Sequence, residues 1–212
     1  MTLSPQDIVD FSFEAPDSWY DVELLGEHGS DDWPERLVAS LDAGALAADL
    51  TERLRALQRV LHAEDPTGAT RARVYIPVPA AGVLNAFQTI ELLQLETDDS
   101  PESYLAAADA EGAHREPGYE ILGYRSWRTA HATGELVGFT HLTAIAGEDA
   151  QDAGDAGNAL LEQRVVFAVF PVGSAQAFQM VFRSAFVGGF ADMVEETQQI
   201  ADSLRVTLGE YA

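Results

Sequence analysis

The sequence predicts an α+β fold in which a mainly antiparallel sheet is covered by helices, and three observations predict it. Residues 119–146 and 160–186 read as two long hairpins, each a pair of alternating or apolar segments joined by a short turn. Leu46, Leu50, Leu54, Leu57 and Leu61 stand three or four apart, the spacing of one helix face. The last stretch, from Phe190 through Met193, Val194, Thr197, Ile200 and Ala201 to Leu204, repeats that spacing, with Asp192, Glu195, Glu196, Gln199 and Asp202 on the opposite side.

The elements follow in order. Residues 10–14 and 18–25 alternate, with Phe11, Phe13, Tyr20, Val22 and Leu24 on repeating faces, as two short strands joined by a Pro-Asp-Ser turn. From Trp33 the pattern is helical to about residue 63, with Pro34 suited to a first turn and Gly44 placed to break the run into two helices. DPTGAT at 65–70 is turn chemistry, and ARVYIPVP and AFQTIELLQLE read as strands separated by AAGVLN. Ser100 is the expected N-cap, and Pro101 the first residue, of a short helix reaching about Asp109. The first long hairpin turns at Thr133-Gly134 and the second between Pro171 and Ser174; the second carries aromatic and β-branched residues nearly throughout, as a strand pair covered on both faces does.

Composition limits the function. The 212 residues, 47% hydrophobic, suffice for a full core and fit one domain over 1–212. Thirty-five acidic residues against twelve basic ones, every one of them arginine, give a formal net charge of -23. That field repels phosphate backbones and anionic membranes, so nucleic acid and membrane insertion are not expected; it attracts a basic partner or simply solubilises the surface. With no cysteine there is no disulfide, thiolate nucleophile or cysteine zinc site. The start, MTLSPQDIVDF, has neither a basic n-region nor an apolar h-region, so the chain as given reads as cytoplasmic.

Two short motifs frame the chain. Near the start, FEAPDSW places Phe13, Pro16 and Trp19 at the end of one strand, a polar turn and the beginning of the next; near the end, the C-terminal helix closes in Ser203, Leu204 and Arg205. With this order of elements, the chain resembles the PsbP/DcrB/LpqN-like superfamily, which includes the Mog-type Ran-binding proteins. The resemblance implies an α/β/α sandwich, one twisted antiparallel sheet with helices on both faces, used mostly for binding or assembly. It makes Phe13, Pro16, Trp19 and Leu204 fold markers, and it extends to adaptor or chaperone-like roles beside bacterial secretion systems.

No G-x-S-x-G elbow, Walker loop, G-x-G-x-x-G turn or H-E-x-x-H pair occurs, so no catalytic residue, cofactor or metal is assigned. A turn at Thr133-Gly134 sets His141 opposite about Ser126 and His131 opposite about Leu136, which keeps the two histidines apart. Asp149, Asp152 and Asp155 recur every three residues within the acidic stretch 147–159; that spacing fails the EF-hand pattern and reads as a solvated loop. Arg125, Arg128, Arg164 and Arg183 lie on strands, where a guanidinium needs a carboxylate or carbonyls, so they form either ion pairs or an anion site. Trp33, beside Asp31, Asp32 and Glu35, is either an interface anchor or a hydrophobic staple with Asp31 or Asp32 as cap.

The expected function is a non-catalytic protein-binding module, adaptor or chaperone-like, for a basic or amphipathic segment reached through a sheet edge, the Trp33 region or the acidic helix faces. The alternatives are an immunity protein masking a basic toxin and, in a different class, a small hydrolase or isomerase using a carboxylate and a histidine in a cleft.

Overall fold

The computed structural model describes residues 5–24, 30–64, 69–114, 119–146 and 159–209. Among them are four α-helices and nine strands, a mixed α+β fold whose strand ladders run antiparallel. The chain divides into two compact bodies, residues 1–14 with 92–212 and residues 15–91.

In the second body, β2 (Trp19–Val22) pairs with β3 (Ala69–Tyr75), and β3 with β4 (Ala86–Gln94), whose last residues belong to the first body. The helical run divides as the sequence predicts into α1 (Trp33–Ser40) and α2 (Ala47–Glu64). Gly44, at φ 55°, opens a 3-10 turn between them in the left-handed region that glycine adopts without Cβ strain. Leu50, Leu54, Leu57 and Leu61 pack with Val22, Ala72, Val74 and Ile76, so α2 covers its own sheet. Leu46 leaves the stripe: it lies in the 3-10 turn and is exposed.

In the first body, β5 (Tyr119–His131), β6 (Gly134–Ala146), β7 (Ala159–Pro171) and β8 (Gln176–Ser184) form consecutive antiparallel pairs, with β7 between β6 and β8. Helix α3 (Pro101–Gly112) packs Tyr104, Leu105 and Ala108 on Val137, Phe139, Val166, Ala168, Phe170 and Val181. Its start is the expected one: the Ser100 hydroxyl accepts from the Ser103 backbone N–H, and the Ser103 hydroxyl accepts from the Ser100 N–H. Helix α4 (Met193–Asp202) lies against β7 with Met193, Thr197, Ile200 and Ala201 buried. His131, which shares a strand face with Trp127, meets the Ala201 carbonyl through Nε2 at 3.2 Å, so α4 covers the face opposite α3. This body therefore has helices on both faces of its sheet.

Three expectations are corrected. The strands flanking FEAPDSW do not pair with each other: β1 (Asp7–Ser12) pairs with β9 (Arg205–Gly209), a strand beyond the C-terminal helix that the sequence reading missed. The helix itself begins at Met193, because Asp192 is its N-cap, accepting from Val194 N–H at 2.9 Å and Glu195 N–H at 3.0 Å; Phe190 lies outside it. The first hairpin turns at Ala132–Thr133, one residue early, since His131 pairs with Gly134, and a bulge between Leu122 and Arg125 shifts the register again. Consequently Ser126 faces Phe139, not His141. Asp192→Ala is expected to cost about 1 kcal/mol by leaving the α4 N-terminus uncapped, while Asp192→Asn keeps most of that stability; urea denaturation of both variants measures the difference.

The corner itself is structural. Trp19 N–H donates to Pro16 O at 2.9 Å, the Trp19 ring stacks on Tyr75 at 5.0 Å, and Ser18 O receives Ile76 N–H. Phe13 stacks on Phe11, whose ring meets Phe178 edge-on at 4.7 Å, and Leu204 is fully buried. Ser203 Oγ accepts from Glu14 N–H at 2.8 Å, which joins the end of the C-terminal helix to the residue after Phe13.

Candidate functional site

Trp33 is not an exposed anchor. It is 5% exposed, packs in the core under α2, and its indole N–H donates to the Asp21 carbonyl at 3.1 Å. A buried tryptophan needs an acceptor for that N–H, and the neighbouring strand provides one. The cap reading also changes: Asp32 occupies the N-cap position of α1 without a side-chain capping bond, accepting instead from Ser30 Oγ and the Arg36 guanidinium. Those contacts, the Ser30 hydrogen bond foremost, hold the Asp32 carboxyl below its ordinary range. Glu35 pairs with Arg55, and Arg36 also reaches Glu23 at 2.5 Å. Asp31 lines a shallow hollow with Glu52, Arg55, Gln58 and Arg59. Gln58, itself buried, donates to the carbonyls of Glu23 at 2.7 Å and Ser30 at 3.3 Å. Glu23, Asp32 and Glu35 are paired with Arg36 or Arg55, and among the described residues the tryptophan beside them is buried, not presented at the surface.

The four strand arginines separate into different environments. Arg128 is an ion-pair residue, held by Glu102 of α3 and by Glu135 of β6; the Glu102 hydrogen bond, then the Glu135 one, raises its already high pKa. Arg125 lies over the Trp127 ring at 5.6 Å, a cation–π contact at the exposed edge. Among the described residues of its body, strand β5 has a neighbour on one side only, and the bulge at Gly123, φ 60°, with Arg125 and Arg128 beyond it, guards that edge against further strand pairing. Arg164 and Arg183 are direct cross-strand partners on β7 and β8, and His141 on β6 is the direct partner of Arg164.

His141 is the residue the sequence reading undervalued. It is 3% exposed, and neither ring nitrogen has a hydrogen-bond partner. Phe139 and Tyr124 stack against it at 6.2 and 6.3 Å. Burial first, then the charge of Arg164, pushes its pKa below the ordinary value of 6.5, so the ring is neutral. Tyr124 next to it donates to Asp109 Oδ1 at 3.0 Å, and Ser126 donates to the same oxygen at 2.7 Å. Burial, then that bond to Asp109, pushes the Tyr124 hydroxyl up to about 12, which makes it a structural donor at neutral pH. The histidine–carboxylate pair needed for acid–base chemistry is not formed by His141 or His131: the former has no partner, and the latter meets Thr133 Oγ1 and the Ala201 carbonyl. Among the described residues no group of three metal-ligating side chains converges. The acidic stretch at 147–159, with Asp149, Asp152 and Asp155, lies outside the described residues except for its last residue.

One end of the first body is apolar and open. Leu160 is 56% exposed, Leu161 41%, Phe186 52% and Val187 49%. All four lie just past Gln163–Ser184, the last rung of the β7–β8 ladder. Ser184 Oγ accepts from Phe186 N–H at 3.2 Å, and the Phe186 carbonyl receives Gly189 N–H at 2.9 Å. With Gly188 at φ 98° this is a tight turn that ends β8 and holds Phe186 and Val187 outward. Beside it runs a groove of about 460 Å³, lined by Leu122, Leu142, Gln163, Phe190, Asp192 and Met193 among others. The signal for this end was present as FVGGF, an apolar pair followed by Gly-Gly with no strand left to bury it; reading Phe186 as the last residue of a covered strand concealed it.

No family model matches the chain, and no curated protein matches it. Solved structures similar to it include two described here. The first, LpqN involved in cell envelope biogenesis of Mycobacterium tuberculosis, is 11% identical, with 96% of this chain and 90% of that one covered at a TM-score of 0.45. The second, cyanobacterial PsbP (CyanoP) from Synechocystis sp. PCC 6803, is 10% identical, with 97% of this chain and 95% of that one covered at a TM-score of 0.42.

Proposed function

We propose that this protein is a non-catalytic protein-binding module, adaptor or chaperone-like, whose ligand is a basic amphipathic segment. The observation that carries the reading is the open apolar end formed by Leu160, Leu161, Phe186 and Val187 in a chain of formal net charge -23. Contiguous exposed apolar side chains favour contact with another apolar face, and the surrounding negative field selects one bearing lysine or arginine. Glu120 and Glu162 on the neighbouring rungs, and Asp192 in the groove, put carboxylates beside that end. Affinity would come from the aromatic and leucine surface, and encounter rate from the charge.

The finer part of the proposal, service to a bacterial secretion system in the cytoplasm, extends from the resemblance of the two ends of the sequence. Binding is tested with a fluorescent synthetic helix of alternating leucine and lysine faces, measured by anisotropy. Phe186→Ser with Leu161→Ser is expected to weaken it at least about tenfold, and raising the salt should weaken both proteins' binding. Equal affinity for wild type and double variant would remove the apolar end from the function. Purification from the native host, with the double variant as the control, then identifies the natural ligand; neutralisation of a basic toxin would place the same surface in an immunity protein.

A further inference from the structure

A cavity of about 300 Å³ lies within the first body, between the tail of β4 and the first turns of α3. Leu93, Leu95, Tyr104, Ala107 and Phe170 line it, and Asp99 is the one charged side chain that does. Its walls are held from both sides. Leu93 and Leu95, two apart in extended chain, share a face and pack on Val137, Ala168, Phe170 and Ala177. Leu95 N–H donates to the Ala175 carbonyl at 2.9 Å, and the Gln94 amide donates to the same oxygen at 3.1 Å. From α3, the Tyr104 ring meets Phe170 edge-on at 5.7 Å while its hydroxyl donates to Gln179 Oε1. Phe170 and Leu160 stand near opposite ends of β7, roughly 30 Å apart at the rise of a strand, so the cavity is separate from the apolar end.

The polar groups already in use decide which ligand charge fits. A helix N-terminus would favour an anion, but here its donors are taken. Ser103 N–H donates to Ser100 Oγ at 3.1 Å, Ser100 N–H to Ser103 Oγ at 2.9 Å, and Tyr104 N–H to the Ser100 carbonyl at 3.0 Å. Asp99 is only half used: Oδ2 accepts from Glu96 N–H at 2.8 Å, and Oδ1 enters no hydrogen bond or ion pair among the described residues. Glu96 and Asp98, exposed on the same turn, add negative charge, and among the described residues no arginine lines the cavity. An apolar slot whose charged wall is a carboxylate selects a cation with an apolar body and rejects carboxylates and phosphates.

We propose that this cavity binds a small organic amine. The alkyl or aryl body lies against Leu93, Leu95, Tyr104 and Phe170, and the ammonium reaches Asp99 Oδ1. The volume stands at the low end of small-ligand sites, about 300–1,000 Å³, which suits a compact amine better than a protein segment. Apolar contact supplies the affinity, and the exposed carboxylate supplies the choice of charge. The site is independent of the protein-binding surface, so Phe186→Ser should leave it unchanged.

The test uses hexylammonium chloride, n-hexanol and sodium hexanoate, three probes with one chain and different heads, titrated into the whole protein at fixed ionic strength and followed by NMR. Hexylammonium is expected to bind with a Kd on the order of 1 mM, moving the Leu93, Leu95 and Phe170 signals together. Hexanol should bind about three- to fivefold more weakly, and hexanoate at least about tenfold more weakly. Asp99→Asn should bring hexylammonium to the level of hexanol. Asp98→Asn removes the same charge from the same turn but not from the cavity wall, and should change binding less than about twofold; the pair separates a local contact from the general field of a chain of net charge -23. Ala107→Phe, at an exposed position, should fill the slot and remove binding of all three probes. Shifts elsewhere or none at all, hexanol or hexanoate binding as well as hexylammonium, equal effects of the Asp98 and Asp99 variants, or binding that survives Ala107→Phe would overturn the site.

Discussion

Phe167→Ala is expected to remove about 3–5 kcal/mol of stability, the range for deleting a fully buried phenyl ring. Phe167 is 0% exposed and sits in one rung that crosses four strands: Trp127 on β5, Gly138 on β6, Phe167 on β7 and Met180 on β8. The glycine makes the rung work. A Cβ on Gly138 would stand 2.4 Å from Cε2 and Cζ2 of Trp127, so only the bare backbone lets the indole lie across β6 and meet Phe167 edge-on at 6.0 Å. Phe182 meets the same ring edge-on at 5.9 Å. Each such aromatic contact adds about 0.5–1.5 kcal/mol to the area term. A cavity bounded by three strands cannot collapse, which places the loss at the upper part of the range, and the melting temperature should fall by roughly 10 °C. Gly138→Ala attacks the rung from the other side and should cost less, about 1–3 kcal/mol, because the indole can shift outward at the sheet edge. Guanidinium denaturation of the two variants checks the order; a Phe167→Ala loss below that of Gly138→Ala would mean the rung is not the centre of this core.

How much of this was legible in the sequence depends on the range of the interaction that sets it. Leu50, Leu54, Leu57 and Leu61 announce their helix because a face repeats within one element. Ser100 and Pro101 announce a helix start for the same local reason. Pairing of β1 with β9 was not legible, since Asp7 and Gly209 meet across nearly the whole chain and β9 is short enough to be read as a loop. The hairpin register failed by a smaller cause: His131 pairs with Gly134, and Gly123, free to take a positive φ, lets the bulge absorb residues that strict alternation would have placed opposite. Both steps move His141 away from Ser126 and into the bulge, so its burial beside Arg164 follows from three strands and two irregularities. Trp33 shows the converse. Its acidic neighbours suggested a surface, but one indole N–H and one strand carbonyl settled it in the core.

Acidification should therefore destabilise the protein before its carboxylates titrate, through His141. Its folded pKa lies below the ordinary 6.5, first because burial penalises the imidazolium and then because Arg164 repels it, with Glu111 opposing weakly. Between the lower folded value and 6.5 the unfolded chain binds more protons than the folded one, so stability rises with pH there. The contribution is complete above 6.5 and is lost as pH falls through 6.5 toward the folded value. His141→Leu removes the titrating group, and with it two buried nitrogens without partners; each such atom costs about 1–3 kcal/mol, so the variant should be at least about 1 kcal/mol more stable in chloride buffer near neutral pH. The stability of the variant should also slope less steeply than that of the wild type in a window of roughly pH 5 to 7, above the carboxylate range. Urea denaturation of both proteins across that window checks both expectations.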